Sequence, residues 1–173
     1  MPNHNFSAII LAAGFSSRMA AFKPLIRIGG KSFVEHAIAL FRTAGIEEIV
    51  TVVGHRAQAL LPVVHAAASR SVINANYAHG MYASIQAGAN ALKHPGDAFF
   101  LLPVDIPLVR PATVRQLAVS FDQHSAPPVC YPLFQSQRGH PPLINSQLMG
   151  ALLRHDGQGG LRAFLRGYEH QAI

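Results

Sequence analysis

The stretch Ser7-Ala8-Ile9-Ile10-Leu11-Ala12-Ala13-Gly14-Phe15-Ser16-Ser17-Arg18, followed by Lys23, decides how this chain is read. An apolar strand runs into residues with little or no side chain, and such a backbone lets a ligand come close. Successive N–H groups of the loop cup an anion there, and two cations five positions apart neutralise it. The pattern predicts a phosphate-bearing ligand at the carboxyl end of a first strand.

Outward from that stretch, apolar runs alternate with helical patterns. Strands are expected over 8–11, 49–53, 71–74, 98–102 and 129–133, and helices over 32–44, 58–67, 83–92 and 111–121. Ser32 with Glu35 three residues on forms a capping signal, Gly45 is a stop, and Pro111 occupies a first-turn position. Alternation of this kind marks an α/β sandwich with a mostly parallel sheet. The wholly apolar run Ala98-Phe99-Phe100-Leu101-Leu102 calls for helices on both faces of that sheet. No internal repeat or low-complexity linker interrupts the pattern, so one domain is expected over residues 1–173.

Half of the 173 residues are hydrophobic and 13% are charged, enough for a substantial core under a thin charged shell. No apolar run reaches eighteen residues, and Met1-Pro2-Asn3-His4-Asn5 lacks a basic region ahead of a long apolar stretch. Neither a membrane span nor a signal peptide is expected. The single cysteine, Cys130, excludes an intramolecular disulfide and fits a reducing compartment, so a cytoplasmic location is expected. The net charge of +6 owes as much to having only eight acids as to fourteen scattered Lys and Arg residues. The cations do not cluster and tryptophan is absent, which argues against nucleic acid and for a polyanionic small substrate.

Ligands of an open parallel sheet bind beyond the carboxyl ends of its strands. After the 98–102 run comes Pro103-Val104-Asp105-Ile106-Pro107, where two prolines stiffen the loop around a carboxylate. A rigid carboxylate beside a phosphate loop suits Mg2+, which takes one or two carboxylates plus phosphate oxygens. The competing role, capping the helix that starts near Pro111, is disfavoured by the separation. Gly29-Gly30-Lys31-Ser32 imitates the end of a P-loop, but no apolar strand leads in and a turn before the Ser32 cap accounts for it. The ten histidines lack zinc-ligand spacing, and His65, His94 and His124 read as exposed residues. Arg138-Gly139-His140-Pro141-Pro142 is either a second anion site or a plain hairpin turn. Gly80-Met81-Tyr82-Ala83-Ser84 opens a helix whose N–H groups and Ser84 hydroxyl either meet a ligand or merely start the helix.

Together, Leu11-Ala12-Ala13-Gly14-x-Ser16-x-Arg18-Met19 and Lys23-Pro24-Leu25 resemble the signature of nucleotidyltransferases that modify the molybdenum cofactor. The cytidylyltransferases are the nearest match and the guanylyltransferases follow. The resemblance continues in order through Gly54-His55-Arg56, Asn76-x-x-x-Gly80-Met81-x-x-Ser84, Pro103-x-Asp105-x-Pro107 and Arg138-Gly139-His140-Pro141. It implies a three-layer, Rossmann-like α/β sandwich of the nucleotide-diphospho-sugar transferase type. It also implies transfer of CMP from CTP to the phosphate of molybdopterin, with release of pyrophosphate.

In that reaction Arg18 and Lys23 would hold the triphosphate, and Asp105 the Mg2+ ion. Leu11, Ala12, Ala13 and Gly14, with Gly80 and Ser84, would read base and ribose, while Arg138 and His140 would meet the acceptor. Ala13 points to the cytidylyl branch, because guanylyl members tend to Leu-Ala-Gly-Gly. Attack on an α-phosphate needs in-line positioning and charge neutralisation rather than a covalent nucleophile, and no Ser-His-Asp arrangement is needed.

Three features depart from the family pattern. Ala20 stands where members carry glycine, and Gln158 replaces an acid in Gly157-Gln158-Gly159-Gly160-Leu161-Arg162. Members also carry a later acidic stretch with a second metal-binding aspartate, whereas here Asp156 and Glu169 are the only acids after Asp122. The same chemistry with GTP or another phosphorylated acceptor is one alternative. A catalytically weak protein that binds nucleotide or molybdenum cofactor, partnering a molybdoenzyme or its chaperone, is another.

Overall fold

Phe6–Ala12 forms strand β1, and its alternating side chains divide the core in two. A computed structural model describes residues 4–15 and 21–173, so Arg18 lies outside the described residues. Beyond β1 the chain makes a small hairpin of β2 (Arg27–Ile28) and β3 (Lys31–Ser32), then α1 (Phe33–Ala44) and β4 (Glu48–Val53). Next come α2 (Ala57–Ala66), β5 (Arg70–Ile73), α3 (Met81–Ala91), β6 (Ala98–Pro103) and α4 (Pro111–Gln123). β7 (Val129–Tyr131) leads into a hairpin of β8 (Leu133–Phe134) and β9 (Gln137–Arg138). β10 (Leu143–Asn145), α5 (Met149–Arg154), α6 (Gly160–Leu165) and β11 (His170–Ala172) follow.

Seven strands make one sheet in the order β11-β7-β10-β6-β1-β4-β5. β1 lies between β4 and β6, parallel to both, with Ala8 opposite Ile49 on one side and Phe100 on the other. Only β10 runs antiparallel, to β6 and to β7. The expected mostly parallel sheet is therefore observed, with helices on both faces.

The apolar strands follow from that burial. Ala8, Ile10 and Ala12 join the half of the core that contains Val34, Leu60 and Val114 of α1, α2 and α4. Ile9 and Leu11 join the other half, with Tyr82, Leu152 and Phe164 of α3, α5 and α6. β6 divides in the same way, Phe100 and Leu102 to one side and Phe99 and Leu101 to the other. With both faces dry, these strands are apolar except for Ser7, whose buried hydroxyl donates to Pro95 O at 2.9 Å. α3 comes especially close to the sheet at Gly88, where a Cβ would sit 2.5 Å from Ile9 Cγ2 and 2.9 Å from Val52 Cγ2.

The capping signal at α1 is realised in both directions. The Ser32 hydroxyl accepts from the Glu35 backbone N–H, and the Glu35 carboxylate accepts from the Ser32 N–H at 2.7 Å. The Ser32 hydroxyl, which also donates to the Glu35 carboxylate at 2.5 Å, and then the Ser32 N–H hold the Glu35 pKa below its ordinary value. The helix stops at Gly45, which takes the left-handed conformation at φ 93°. Most boundaries shift by one or two residues from the sequence pattern, and two of the shifts have a local cause. The 129–133 strand ends at Tyr131, because Pro132 has no N–H for the ladder, and Leu133 starts the hairpin instead. The 83–92 helix begins earlier, at Met81, directly after Gly80. Strands β10 and β11, three residues each, carry too little alternation to be read from sequence.

Candidate functional site

The carboxyl ends of β5, β4, β1 and β6 form a continuous edge, and a cavity of about 280 Å3 lies along it. Leu11, Ala12, Ala13 and Gly14 line it from the end of β1 and the loop after it, Gly80 and Ser84 from the start of α3, and Lys23 and Asp105 from their loops. Eight residues singled out in the sequence thus converge on one cavity. Arg138 and His140 are not in its lining.

Lys23 is placed by a short 3-10 turn, Lys23–Leu25, whose Pro24 is buried and whose Leu25 packs on the core. Asp105 is placed by the loop after β6, where the Val104 N–H donates to Leu11 O at 3.0 Å. That backbone bond ties the β6 loop to β1. Lys23 Nζ then donates to Asp105 Oδ2 at 2.9 Å, with the two side chains 27% and 44% exposed. The pair stays open to solvent and to incoming ligands.

His140 reaches the same end by strand reversal. β10 pairs antiparallel with β6 through Leu143 opposite Phe100, and Leu101 N–H donates to Pro142 O at 3.2 Å. That pairing leads the chain back toward the end of β6, and His140 lies near enough to Asp105 to feel its charge. Although His140 is exposed overall, partial burial of its ring pulls its pKa below the ordinary 6.5, and the Asp105 charge opposes the shift. Arg138 is turned to other partners. Its guanidinium lies 5.0 Å over the Tyr131 ring and donates to His170 Nε2 at 2.6 Å.

Phe15, Tyr77 and Met81 are among the further side chains that line the cavity. In the sequence Phe15 reads as a spacer in the opening loop, and Tyr77 as a spacer between Asn76 and Gly80. A bulky ring amid small residues was the available signal. The Phe15 ring is 5.1 Å from that of Tyr77 and 5.3 Å from that of His55. His55 N–H donates to Ala13 O at 3.0 Å, joining the loops after β4 and β1. Gly54 leaves the space for this assembly. A Cβ there would lie 2.7 Å from Tyr77 Cβ and 2.9 Å from Ala13 Cβ. Behind the wall the buried Asn74 amide donates to Ser84 Oγ at 3.0 Å and accepts from Asn76 N–H at 2.9 Å. Ser84 therefore braces the β5 turn as well as lining the cavity.

Among the described residues no group of three or more His, Cys, Asp or Glu side chains is arranged to hold a metal ion. A metal caged wholly by protein does not fit this site. A single, solvent-open carboxylate on the cavity wall does fit a divalent ion that draws its remaining ligands from phosphate oxygens and water. Also among the described residues, no helix is long and apolar enough to cross a membrane.

A family described as MobA-like NTP transferase domain matches residues 8–172. Nicotine blue oxidoreductase of Paenarthrobacter nicotinovorans is 31% identical, over 92% of this chain and 81% of its own length. Bifunctional protein GlmU of Syntrophomonas wolfei is 33% identical over 86% of this chain, which spans about a third of that protein's length (33%). Among solved structures, Rv0371c of Mycobacterium tuberculosis H37Rv superposes with a TM-score of 0.82 at 20% identity, over 98% of this chain and 87% of the other. The same mycobacterial protein has also been solved as a complex with manganese, which superposes with a TM-score of 0.74.

Proposed function

The chain belongs to the family of MobA-like NTP transferase domains, and from that premise we propose a specific nucleotidyl transfer. The chain, acting as one such domain, moves CMP from CTP to the phosphate of molybdopterin and releases pyrophosphate. One observation carries this reading: the order of groups along the carboxyl edge of the sheet. Apolar and aromatic walls come from β1 and the segment between β5 and α3, the charged pair from Lys23 after β1 and Asp105 after β6, and His140 lies beyond it. A nucleotide laid along that edge has its base in the apolar part, its phosphates at the charged pair, and its α-phosphorus facing the acceptor side.

The acceptor phosphate oxygen attacks the α-phosphorus, the bond to the β-phosphate bridging oxygen breaks, and pyrophosphate carries away the charge. Lys23, together with Arg18, holds the triphosphate and neutralises the leaving group as it departs. Asp105 would hold a Mg2+ ion, which would supply charge neutralisation on the phosphate oxygens. Leu11, Ala12, Ala13 and Gly14 seat base and ribose with Gly80 and Ser84, and His140 orients the acceptor phosphate, joined by Arg138 once it exchanges Tyr131 and His170 for that phosphate. The manganese complex of the mycobacterial relative supports a divalent ion. A reaction on free nucleotides and a diffusible acceptor fits a cytoplasmic protein, with a molybdoenzyme or its chaperone as recipient of the product.

The test is pyrophosphate release with CTP, GTP and ATP, each with and without molybdopterin. Release with CTP that depends on molybdopterin supports the proposal, and release with GTP alone moves it to the guanylyl branch. A nearly full-length relative is named as an oxidoreductase, so absence of pyrophosphate release with every nucleotide would overturn the transfer reading as a whole.

A further inference from the structure

Phe15 and Tyr77 come from loops after different strands, β1 and β5, yet their rings meet at 5.1 Å in an edge-on arrangement. Phe15 is 49% exposed, a large apolar side chain left open to solvent beside a ligand cavity that it lines. The rings are not held together by chance packing. Gly54 makes room for Tyr77, His55 N–H fixes the Ala13 carbonyl, and the His55 ring backs Phe15 at 5.3 Å. Three loops interlock to present one aromatic surface.

That surface and the charged pair occupy different parts of the same edge. Phe15 and Tyr77 enter the cavity lining from the loops after β1 and β5, and Asp105 enters it from the loop after β6, on the other side of β1 from β4 and β5. We infer that Phe15 and Tyr77 form the wall on which the nucleobase stacks, and so set how tightly the nucleoside half of the substrate is held. This inference rests on the nucleotidyltransferase reading above. Every base has a π-face, so such a wall gives affinity to pyrimidine and purine alike. Discrimination between them then belongs to the floor beneath, where the Ala13 methyl and Tyr77 Cβ both approach Gly54.

The chain contains no tryptophan, so Tyr77→Trp installs a single reporter in the wall itself. Its emission should be quenched saturably by CTP and by GTP with Mg2+, and left unchanged by Mg2+ tripolyphosphate, which has no base. By calorimetry, Phe15→Ala should weaken CTP binding about tenfold and leave tripolyphosphate binding unchanged. Equal weakening of both ligands would mean that Phe15 only holds its loop in shape, and would overturn the inference. So would an unchanged CTP affinity, or a silent tryptophan in a variant that calorimetry shows binding CTP. A wild-type protein that binds no nucleotide at all would overturn the inference and the proposed function together, an outcome distinct from the others.

Discussion

Lys23 and Asp105, 82 positions apart in the chain, are joined by a 2.9 Å bond from Nζ to Oδ2 at the mouth of the cavity. Each is the partner that the other's expected ligand must displace. A triphosphate attracts the ammonium group, and a divalent ion attracts the carboxylate. A partly exposed pair of this kind contributes only about 0–1 kcal/mol, so exchanging it for ligand contacts costs little. The pair keeps both groups positioned without locking them.

Replacing Asp105 should separate chemistry from folding. Its side chain is 44% exposed, so Asp105→Asn should leave thermal stability close to wild type while turnover falls at least about a hundredfold. Wild-type turnover at saturating Mg2+ would remove Asp105 from the metal site. The same variant reports on His140 by NMR titration. His140 titrates below 6.5 because its burial disfavours the charged ring, and the Asp105 charge partly offsets this. Removing that charge should lower the His140 pKa further. In sign, the unfolded chain takes this proton at higher pH than the folded one, so His140 contributes stability above 6.5 that is lost as pH falls through its depressed value. A His140 pKa unmoved by Asp105→Asn would mean that the two groups are not neighbours.

Lys23→Ala removes a charge-assisted contact that strengthens as pyrophosphate departs. We expect kcat to fall about 10- to 100-fold with a smaller change in KM. Steady-state kinetics over a range of nucleotide concentrations makes the distinction. A change confined to KM would assign Lys23 to ground-state binding alone.

The Ala13 methyl is 2% exposed and packed toward Gly54 and Tyr77, on the floor of the cavity. A methyl group at a close approach costs about 1–3 kcal/mol when a bulkier ligand forces overlap. CTP should therefore be preferred over GTP by at least about tenfold in kcat/KM, or about 1.4 kcal/mol. Ala13→Gly should narrow the ratio by letting Tyr77 settle lower. Competition with both nucleotides in one reaction gives the ratio directly, and an equal or inverted preference would exclude the cytidylyl assignment.

Tyr82 links α3 to α5 through its hydroxyl, which donates to Leu152 O at 3.0 Å in the core. Burial pushes its pKa up to about 12, helped by Tyr168 and Asp156. The folded chain thus keeps the proton that an unfolded chain releases near 10, so this contribution to stability is lost as pH rises from about 10 to about 12. Tyr82→Phe should cost about 1 kcal/mol at neutral pH through the lost hydrogen bond, and should flatten the alkaline decline. Urea melts of both proteins at pH 8 and at pH 11 test this. An identical slope with pH would show that Tyr82 does not hold its proton in the way the burial requires.

The sequence by itself determined the elements whose signals are local. The β1 run and its small-residue loop, the Ser32–Glu35 cap with its Gly45 stop, and the apolar β6 ahead of Asp105 all follow from neighbours within a few positions. Strand and helix periodicity and capping chemistry are written at that range, and the carboxyl-end rule then points at Lys23 and Asp105. The tertiary structure alone decided which distant groups meet. The reversal of β10 carries His140 to Asp105, and β5 brings Tyr77 to Phe15 across β4. The three-residue strands β10 and β11 are fixed by partners rather than by their own pattern. Such meetings depend on strand order and register, which arise when the whole sheet buries both faces at once, and no local stretch of residues contains them.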